Sequence, residues 1–469
     1  LIPQDVPATV KLFKKAIRNK KLSMKRLNHS VRKILMAKYW AGLHNYKPIS
    51  LDNLQDELNA KEDELLHREL VKNSITVVKN ENDIIPIQNL EKQKIAYVKF
   101  GEAPNTSFIT MLKNYAKVDV ISGASTSSLL ARLKTYSLVI IGYHTSNAHP
   151  WKGFNFKKND IAAIQKIAKE KKVILDIFSS PYSLLPFKNF KYIEGLVVSY
   201  QNSKIAQEIS AQQLFGAIKA KGKLPVSINK KFKEGFGLTS MTLSRLQYGI
   251  PEEVKMSSEK LALIDSMATK VMQEKMAPGM QILVARAGRV VYQKSFGYHT
   301  NDTLKKVKNS DLYDVASLTK ILATLPMVMK AEGEGKFRLA TKLKHILPEL
   351  KNSNKDTVTL KEILSHNGRL QAWIPFYKST QDSVTGKNLP DLYSTVKSKN
   401  HGVKVAENLY LQTSYKDSIF NKIKEADQRE KEGYKYSDLG YYILKESLEN
   451  KYRKPLEELT QDFFYKSLG

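Results

Sequence analysis

Apolar positions recur along this chain with changing periods, and the changes divide it. Over residues 1–45 they fall at helical spacing: Val10, Phe13 and Ile17 first, then Leu27, Val31, Ile34, Leu35 and Tyr39, one stripe per helix. Pro7 sits where a first helical turn tolerates it, Ser23 is placed to cap the second helix, and Gly42 to end it. Such a pair cannot bury its stripes alone, so it is expected to belong to something larger. Residues 44–61 are polar, with Pro48 and Asn53, and read as a linker.

From residue 62 to 230 the pattern alternates. Short apolar runs at 75–79, 94–100, 118–121, 138–142, 172–178 and 195–198 predict strands. Helical patterns at 62–73, 106–115, 127–134, 158–170 and 203–218 precede or separate them. Strands that are apolar throughout and alternate with helices predict a mostly parallel sheet covered on both faces, a three-layer αβα sandwich. Residues 222–226 are expected to close it with a turn and a short strand.

Residues 231–256, with Gly235, Gly237 and Pro251, read as a second linker. The period then changes again. A long amphipathic helix is expected over 258–275, followed by strands at 280–285 and 290–298 around the turn Arg286-Ala287-Gly288-Arg289. The fold class is therefore multidomain, α/β followed by α+β. Its expected parts are 1–61, 62–230, the linker 231–256, and 257–469.

Composition narrows the chemistry. A length of 469 residues suits two to four domains. No run approaches the roughly 18–20 apolar residues of a spanning helix. With no cysteine, disulfides, a thiol nucleophile and cysteine-based zinc sites are excluded. The nine histidines form no metal-ligand spacing, so no metal and no cofactor is expected. A formal charge of +30 raises nucleic-acid binding. The lysines, however, are spread over helix faces such as Lys11, Lys14 and Lys15, or Lys166, Lys169, Lys171 and Lys172. No specific nucleic-acid partner is expected; non-specific attraction to anionic envelope surfaces is what this charge allows.

The candidate chemistry is a serine with a lysine three residues on. Those side chains share one helix face, and a helix N-terminus lowers the cost of the alkoxide and of the oxyanion that follows. A partly desolvated lysine there can act as base. The pair occurs five times: Ser30/Lys33, Ser227/Lys230, Ser257/Lys260, Ser317/Lys320 and Ser394/Lys397. Context selects Ser317 and Lys320. They follow a strand pair and open an apolar helix (Ile321, Leu322, Leu325, Val328, Met329). The other four read as caps or surface residues.

Residues 314–330 (DVASLTKILATLPMVMK) resemble the first motif of the family that holds class C β-lactamases, D-Ala-D-Ala carboxypeptidases and related esterases. Tyr436-Ser437-Asp438-Leu439-Gly440-Tyr441 resembles its second motif, normally tyrosine-serine-asparagine. The resemblance implies Ser317 as nucleophile, Lys320 as base and Tyr436 as proton relay, with Asp438 at a substrate-binding position. Aspartate in place of asparagine is a departure that counts against β-lactam and D-Ala-D-Ala turnover more than against ester hydrolysis. Tyr200-Gln201-Asn202 also fits tyrosine-x-asparagine. Residues 359–370 (TLKEILSHNGRL) resemble the turn at the site entrance, in which His366 is structural; a base is the other reading. Trp373, Phe376 and Tyr377 line a groove or simply pack. No lysine or histidine strand motif follows Tyr436, so an incomplete β-lactamase-like α+β domain is expected.

The first half has its own resemblance. Residues 1–7 (LIPQDVP) and 30–43 (SVRKILMAKYWAGL) resemble the end of the catalytic barrel of glycoside hydrolase family 3. Residues 71–86 (VKNSITVVKNENDIIP) and 211–228 (AQQLFGAIKAKGKLPVSI) resemble the start and end of its second domain. That family's acid residues lie on barrel loops upstream, so no glycosidase catalytic residue is expected here, and an interior fragment is. Together the two resemblances imply a bifunctional hydrolase of the periplasm or cell envelope. One half would cleave β-linked N-acetylhexosamine and the other an acyl bond, with a carbohydrate or muropeptide-like substrate. The alternatives are a β-glucosidase-like enzyme with an appended esterase, and a degenerate serine-hydrolase-like binding module.

Overall fold

The computed structural model describes residues 3–148 and 156–468. Leu1 and Ile2, which begin the first family-like motif, lie outside the described residues. Two compact units divide the chain, Leu1–Glu69 and Leu70–Gly469.

In the first unit, α1 (Val6–Arg18) is capped by Asp5, whose carboxylate accepts from the Ala8 N–H at 2.9 Å. Helix α2 (Met24–Trp40) is capped by Ser23, which accepts from the Arg26 N–H at 3.1 Å. A short α3 (Leu54–Leu58) follows, and α4 (Lys61–Ser74) leads on. The stripes of α1 and α2 stay exposed: Val10, Phe13, Val31, Ile34, Leu35 and Tyr39 all face solvent.

The second unit begins with a six-stranded sheet made of β1 (Thr76–Asn80), β2 (Ile95–Phe100), β3 (Val118–Val120), β4 (Leu138–His144), β5 (Lys172–Phe178) and β6 (Gly195–Val198). Their order is β1-β6-β5-β4-β2-β3, parallel throughout except that β1 runs antiparallel to β6 at one edge. The connecting helices are α5 (Thr106–Lys113), α6 (Thr126–Leu133), α7 (Lys158–Glu170) and α8 (Lys204–Leu214). Alternate residues of β4 supply opposite faces. Val139, Ile141 and Tyr143 pack with Leu129 and Leu133 of α6 and Ile164 and Ile167 of α7. Leu138 and Ile140 pack with Phe108 and Leu112 of α5 and Ile209 of α8. Covering both faces is what makes the strands apolar throughout.

His144 and Asp176 are among the polar groups that interrupt this core. His144, at the end of β4, meets the Tyr97 hydroxyl at 2.8 Å and the Asn202 side-chain oxygen at 2.6 Å. Burial pulls its imidazole down to about 4, so it is neutral. Asp176 of β5 is fully buried and accepts from the Ser199 hydroxyl at 2.7 Å and the Ser210 hydroxyl at 2.5 Å. Neither Asp176 nor these serines carries a local sequence signal.

Two expectations need correction. Residues 222–226 form no strand: the Leu224 N–H donates to the Phe236 carbonyl and its carbonyl accepts from the Gly235 N–H, both at 2.8 Å, an irregular loop pairing. The stretch 231–256, read as a linker, is held against the sheet. Phe232 is buried in the core, and the Leu238 N–H donates to the Val77 carbonyl at 2.7 Å. Glycines and prolines there mark tight turns rather than freedom.

Within this stretch β7 (Gln247–Tyr248) pairs with β9 (Arg289–Gly297), which pairs antiparallel with β8 (Gly279–Arg286). Ala287 and Gly288 make the tight turn, both with positive φ. Helix α9 (Ser258–Gln273) is tied to β9 through Asp265, which accepts from the Tyr292 hydroxyl and the Lys294 ammonium, each at 2.6 Å. The rest is mainly helical: α10 (Leu325–Gly333), α11 (Leu343–Ile346), α12 (Leu360–Leu364), α13 (Tyr415–Glu425), α14 (Leu439–Tyr452) and α15 (Leu456–Phe463). A small sheet of β10 (Tyr393–Ser394), β11 (Val403–Ala406) and β12 (Leu409–Leu411) interrupts them. Met327, Val328, Leu360, Ile363, Leu439, Ile443 and Leu444 form their shared core.

Burial pushes the Asp176 carboxyl up from 3.8 to about 7. A raised acid contributes stability that is complete below the unfolded value and is lost as pH rises through the folded one. Urea unfolding should therefore show stability falling between about pH 4 and pH 7, by roughly 2–4 kcal/mol. Asp176→Asn should flatten this slope; an unchanged slope would refute the assignment.

Candidate active site

The nucleophile candidate sits on a strained turn. Ala316 has a φ of 43°, and its N–H donates to the Asp314 carboxylate at 2.7 Å. Tight bonds follow, from Leu318 N–H to the Val315 carbonyl (2.9 Å), Thr319 to Ala316 (3.0 Å) and Lys320 to Ser317 (3.1 Å). The chain then passes through one wide π-helical turn, Lys320–Thr324, before α10 begins. Ser317 thus precedes the long helix by about two turns rather than opening it directly. Pro326 supplies a cause, because it has no N–H for the Leu322 carbonyl four residues back. The Tyr465 hydroxyl donates to that carbonyl instead, at 2.5 Å.

Helix α14 brings the second group. His366, also at positive φ, accepts the Ser437 N–H through Nδ1 at 3.2 Å, and its carbonyl accepts from the Lys435 N–H at 2.9 Å. Ser437, nearly buried, donates its hydroxyl to the Gln371 carbonyl at 2.6 Å and accepts the Leu439 N–H at 3.1 Å. The Asp438 N–H donates to the Ala372 carbonyl at 2.9 Å. Gly440 is needed because a Cβ there would meet Ile363 at 2.8 Å. These ties fix Tyr436 and Asp438 on either side of a pinned serine.

The two parts meet at Lys320. Its ammonium donates to Ser317 Oγ at 3.0 Å and to Asp438 Oδ1 at 2.6 Å. It also lies 5.0 Å from the centre of the Tyr436 ring and 5.8 Å from that of Tyr441. Burial lowers the lysine's proton affinity, but hydrogen bonds to Asp438 and Tyr436 outweigh it and hold Lys320 above the ordinary lysine value. The Tyr436 phenol is held below its ordinary value by hydrogen bonding to Lys320 and then to Ser317. His366 is lowered by burial and by the Lys320 charge. Ala316, Ser317, Thr319, Lys320, Asp438 and Tyr441 border a cavity of about 340 Å³.

All four residues singled out in the sequence, Ser317, Lys320, Tyr436 and Asp438, therefore come together. The competing matches do local work. Ser257 caps α9 by accepting from the Lys260 N–H at 3.2 Å. Ser227 accepts from the Glu234 N–H and Ser394 from the Val396 N–H, both at 3.0 Å. Ser30 lies on α2 beside Arg26. Asn202, of the rival tyrosine motif, serves His144 in the αβα part. Trp373 and Tyr377 are exposed, whereas Phe376 sits edge-on to Tyr442 with centroids 5.7 Å apart. Asp314, Ser437 and Gln371, which hold the two motifs in place, were missed by sequence reasoning; only a short polar residue before a turn hinted at the first. Among the described residues no group of three acidic or histidine side chains could hold a metal, and no helix is long and apolar enough to cross a membrane.

The Beta-lactamase family profile matches residues 264–469. That region is a serine-hydrolase-type domain of this family. "Protein flp" of Staphylococcus aureus is 28% identical over 137 residues, which are 29% of this chain and 26% of that protein. A "Beta-lactamase" of Providencia stuartii is 28% identical over 132 residues, 27% of this chain and 34% of its own. The chain thus spans about a quarter to a third of the curated relatives it matches. Solved structures with partial likeness include a glycoside hydrolase family 3 β-N-acetylglucosaminidase from Paenibacillus sp. str. FPU-7, at 18% identity and a TM-score of 0.35. That likeness covers 46% of this chain and 42% of the other. Another is an octameric penicillin-binding protein homologue from Pyrococcus abyssi, at 21% identity and a TM-score of 0.34, covering 44% and 42%.

With Nδ1 engaged as an acceptor, His366 is a positioning group. His366→Ala should leave the Ser437 N–H unpaired, costing about 1–3 kcal/mol in urea unfolding. The shape of any pH–rate profile should be kept; loss of an ionisation below pH 7 would make His366 the base.

Proposed function

We propose that the C-terminal half is a serine acyl-hydrolase working through an acyl-enzyme, with Ser317 as nucleophile and Tyr436 as the proton carrier. The observation that carries this is the chain of contacts from Ser317 Oγ to Lys320 and on to Asp438, with the Tyr436 ring centre 5.0 Å from the Lys320 ammonium. Lysine as base, the expectation from the motif, fits this geometry less well. Paired with Asp438, Lys320 holds its proton, and the ammonium in turn favours the phenolate of Tyr436.

The Ser317 Oγ bonds to the substrate carbonyl carbon while its proton passes to the Tyr436 oxygen. The Lys320 charge stabilises the oxyanion that forms. The bond to the leaving alcohol then breaks, and Tyr436 returns the proton to that oxygen. Water attacks the acyl carbon, gives its proton to Tyr436, and the Ser317 oxygen leaves with that proton, freeing the carboxylic acid. Each step needs one group that accepts and returns a proton beside a fixed cation.

This activity is paired with a glycosidase of β-linked N-acetylhexosamine, at the cell envelope. Motifs at residues 30–43, 71–86 and 211–228 support that half of the reading. A glycopeptide derived from peptidoglycan contains both bond types and is the proposed joint substrate, cleaved at an acyl bond with no carboxylate beside it.

Ser317→Ala should abolish hydrolysis of aryl esters and labelling by a fluorophosphonate; unchanged turnover would remove the proposal. Tyr436→Phe should lower kcat by roughly 10²–10⁴-fold. In the unaltered protein kcat/KM should rise with pH as Tyr436 ionises below the usual phenol range. It should fall again only where Lys320 loses its proton, above the usual lysine range. The rising limb should vanish in Tyr436→Phe; its survival would assign the base elsewhere.

A further inference from the structure

The cavity beside Ser317 is bordered by two cations, Lys320 and Lys445, and both are already neutralised. Lys320 pairs with Asp438 at 2.6 Å, and Lys445 pairs with Glu449 at 2.6 Å. Both partners are held in place. The Asp438 backbone is tied to Ala372 and Tyr441, and Glu449 also accepts the Leu456 N–H at 2.8 Å across the α14–α15 corner. The remaining lining groups, among them Thr319, Thr324, Tyr441, Tyr442 and Leu456, are uncharged. Asp438 keeps 38% of its side chain open, so its second oxygen adds negative potential where an acyl group would enter. His366, behind Tyr436, is neutral and supplies no compensating charge.

Building on the acyl-hydrolase reading, we infer that this site selects its substrate by charge: it takes uncharged acyl groups and excludes those bearing a carboxylate near the scissile bond. A carboxylate entering here loses its hydration and meets no unpaired cation, while a like charge stands on the wall. Asp438 thus serves as a specificity-determining and positioning residue rather than one that binds a substrate carboxylate. Glu449, on the far side of Lys445, has the same effect at longer range.

The test compares p-nitrophenyl butyrate with p-nitrophenyl hydrogen succinate, in which a carboxylate replaces the terminal methyl group. With the whole chain, kcat/KM should favour the butyrate by about tenfold or more, expressed in KM more than in kcat. Asp438→Asn should shrink that preference to within about threefold, and Asp438→Glu should keep it. Glu449→Gln leaves the Ser317–Lys320–Asp438 contacts in place but frees the Lys445 charge, and should also narrow the preference. Equal use of the two esters by the unaltered protein, or a preference that neither neutral variant narrows, would overturn the inference alone. Turnover of both esters that persists in Ser317→Ala would overturn the acyl-hydrolase reading and this inference with it.

Discussion

The Lys320–Asp438 ion pair is the contact on which the rest of this site depends. It joins two segments separated by 118 residues, the turn that carries Ser317 and the N-terminal end of α14. Each segment is folded locally by bonds of its own, through Asp314 on one side and through His366, Gln371 and Ala372 on the other. Without the pair, the half-buried ammonium would stand desolvated beside two aromatic rings. With it, the lysine stays charged, orients Ser317 and sets the state of Tyr436. One carboxylate in place of a neutral amide redistributes the proton chemistry of the whole cluster.

Much of the fold was legible in the sequence, for a plain reason. Strands of the αβα part are buried on both faces, so runs such as Leu138–His144 and Lys172–Phe178 stand out against the helices between them. The β8–β9 hairpin announced itself through Ala287-Gly288, and Ser23 and Ser257 through their capping positions. The stretch 231–256 was misread because glycine and proline signal turns equally well in a free linker and in a loop pressed onto a sheet. What separates the two cases is long-range contact, such as Leu238 on Val77, which no local pattern encodes.

The site was legible in its residues and less so in its roles. Motif context separated Ser317 from four other serine-x-x-lysine matches, and the structure shows those four in other surroundings. Whether Lys320 acts as base depends on whether it keeps its proton. That is decided by Asp438, 118 residues away, and by how far burial is offset. Lys445 and Glu449 stand four apart on α14 and could be read as a pair, but nothing local placed them beside the serine. His144 and Asp176 carried even less signal, since their partners lie on neighbouring strands and helices.

The π-helical turn after Ser317 ties the approach to the nucleophile to a residue far along the chain. Pro326 leaves the Leu322 carbonyl without its usual helical donor, and the hydroxyl of Tyr465, 143 residues further on, fills the place. That carbonyl lies at the surface, where water serves it as well, so the tyrosine adds a tether rather than a missing bond. The segment that presents the serine is thereby latched from outside by the short helical turn that begins at Tyr465.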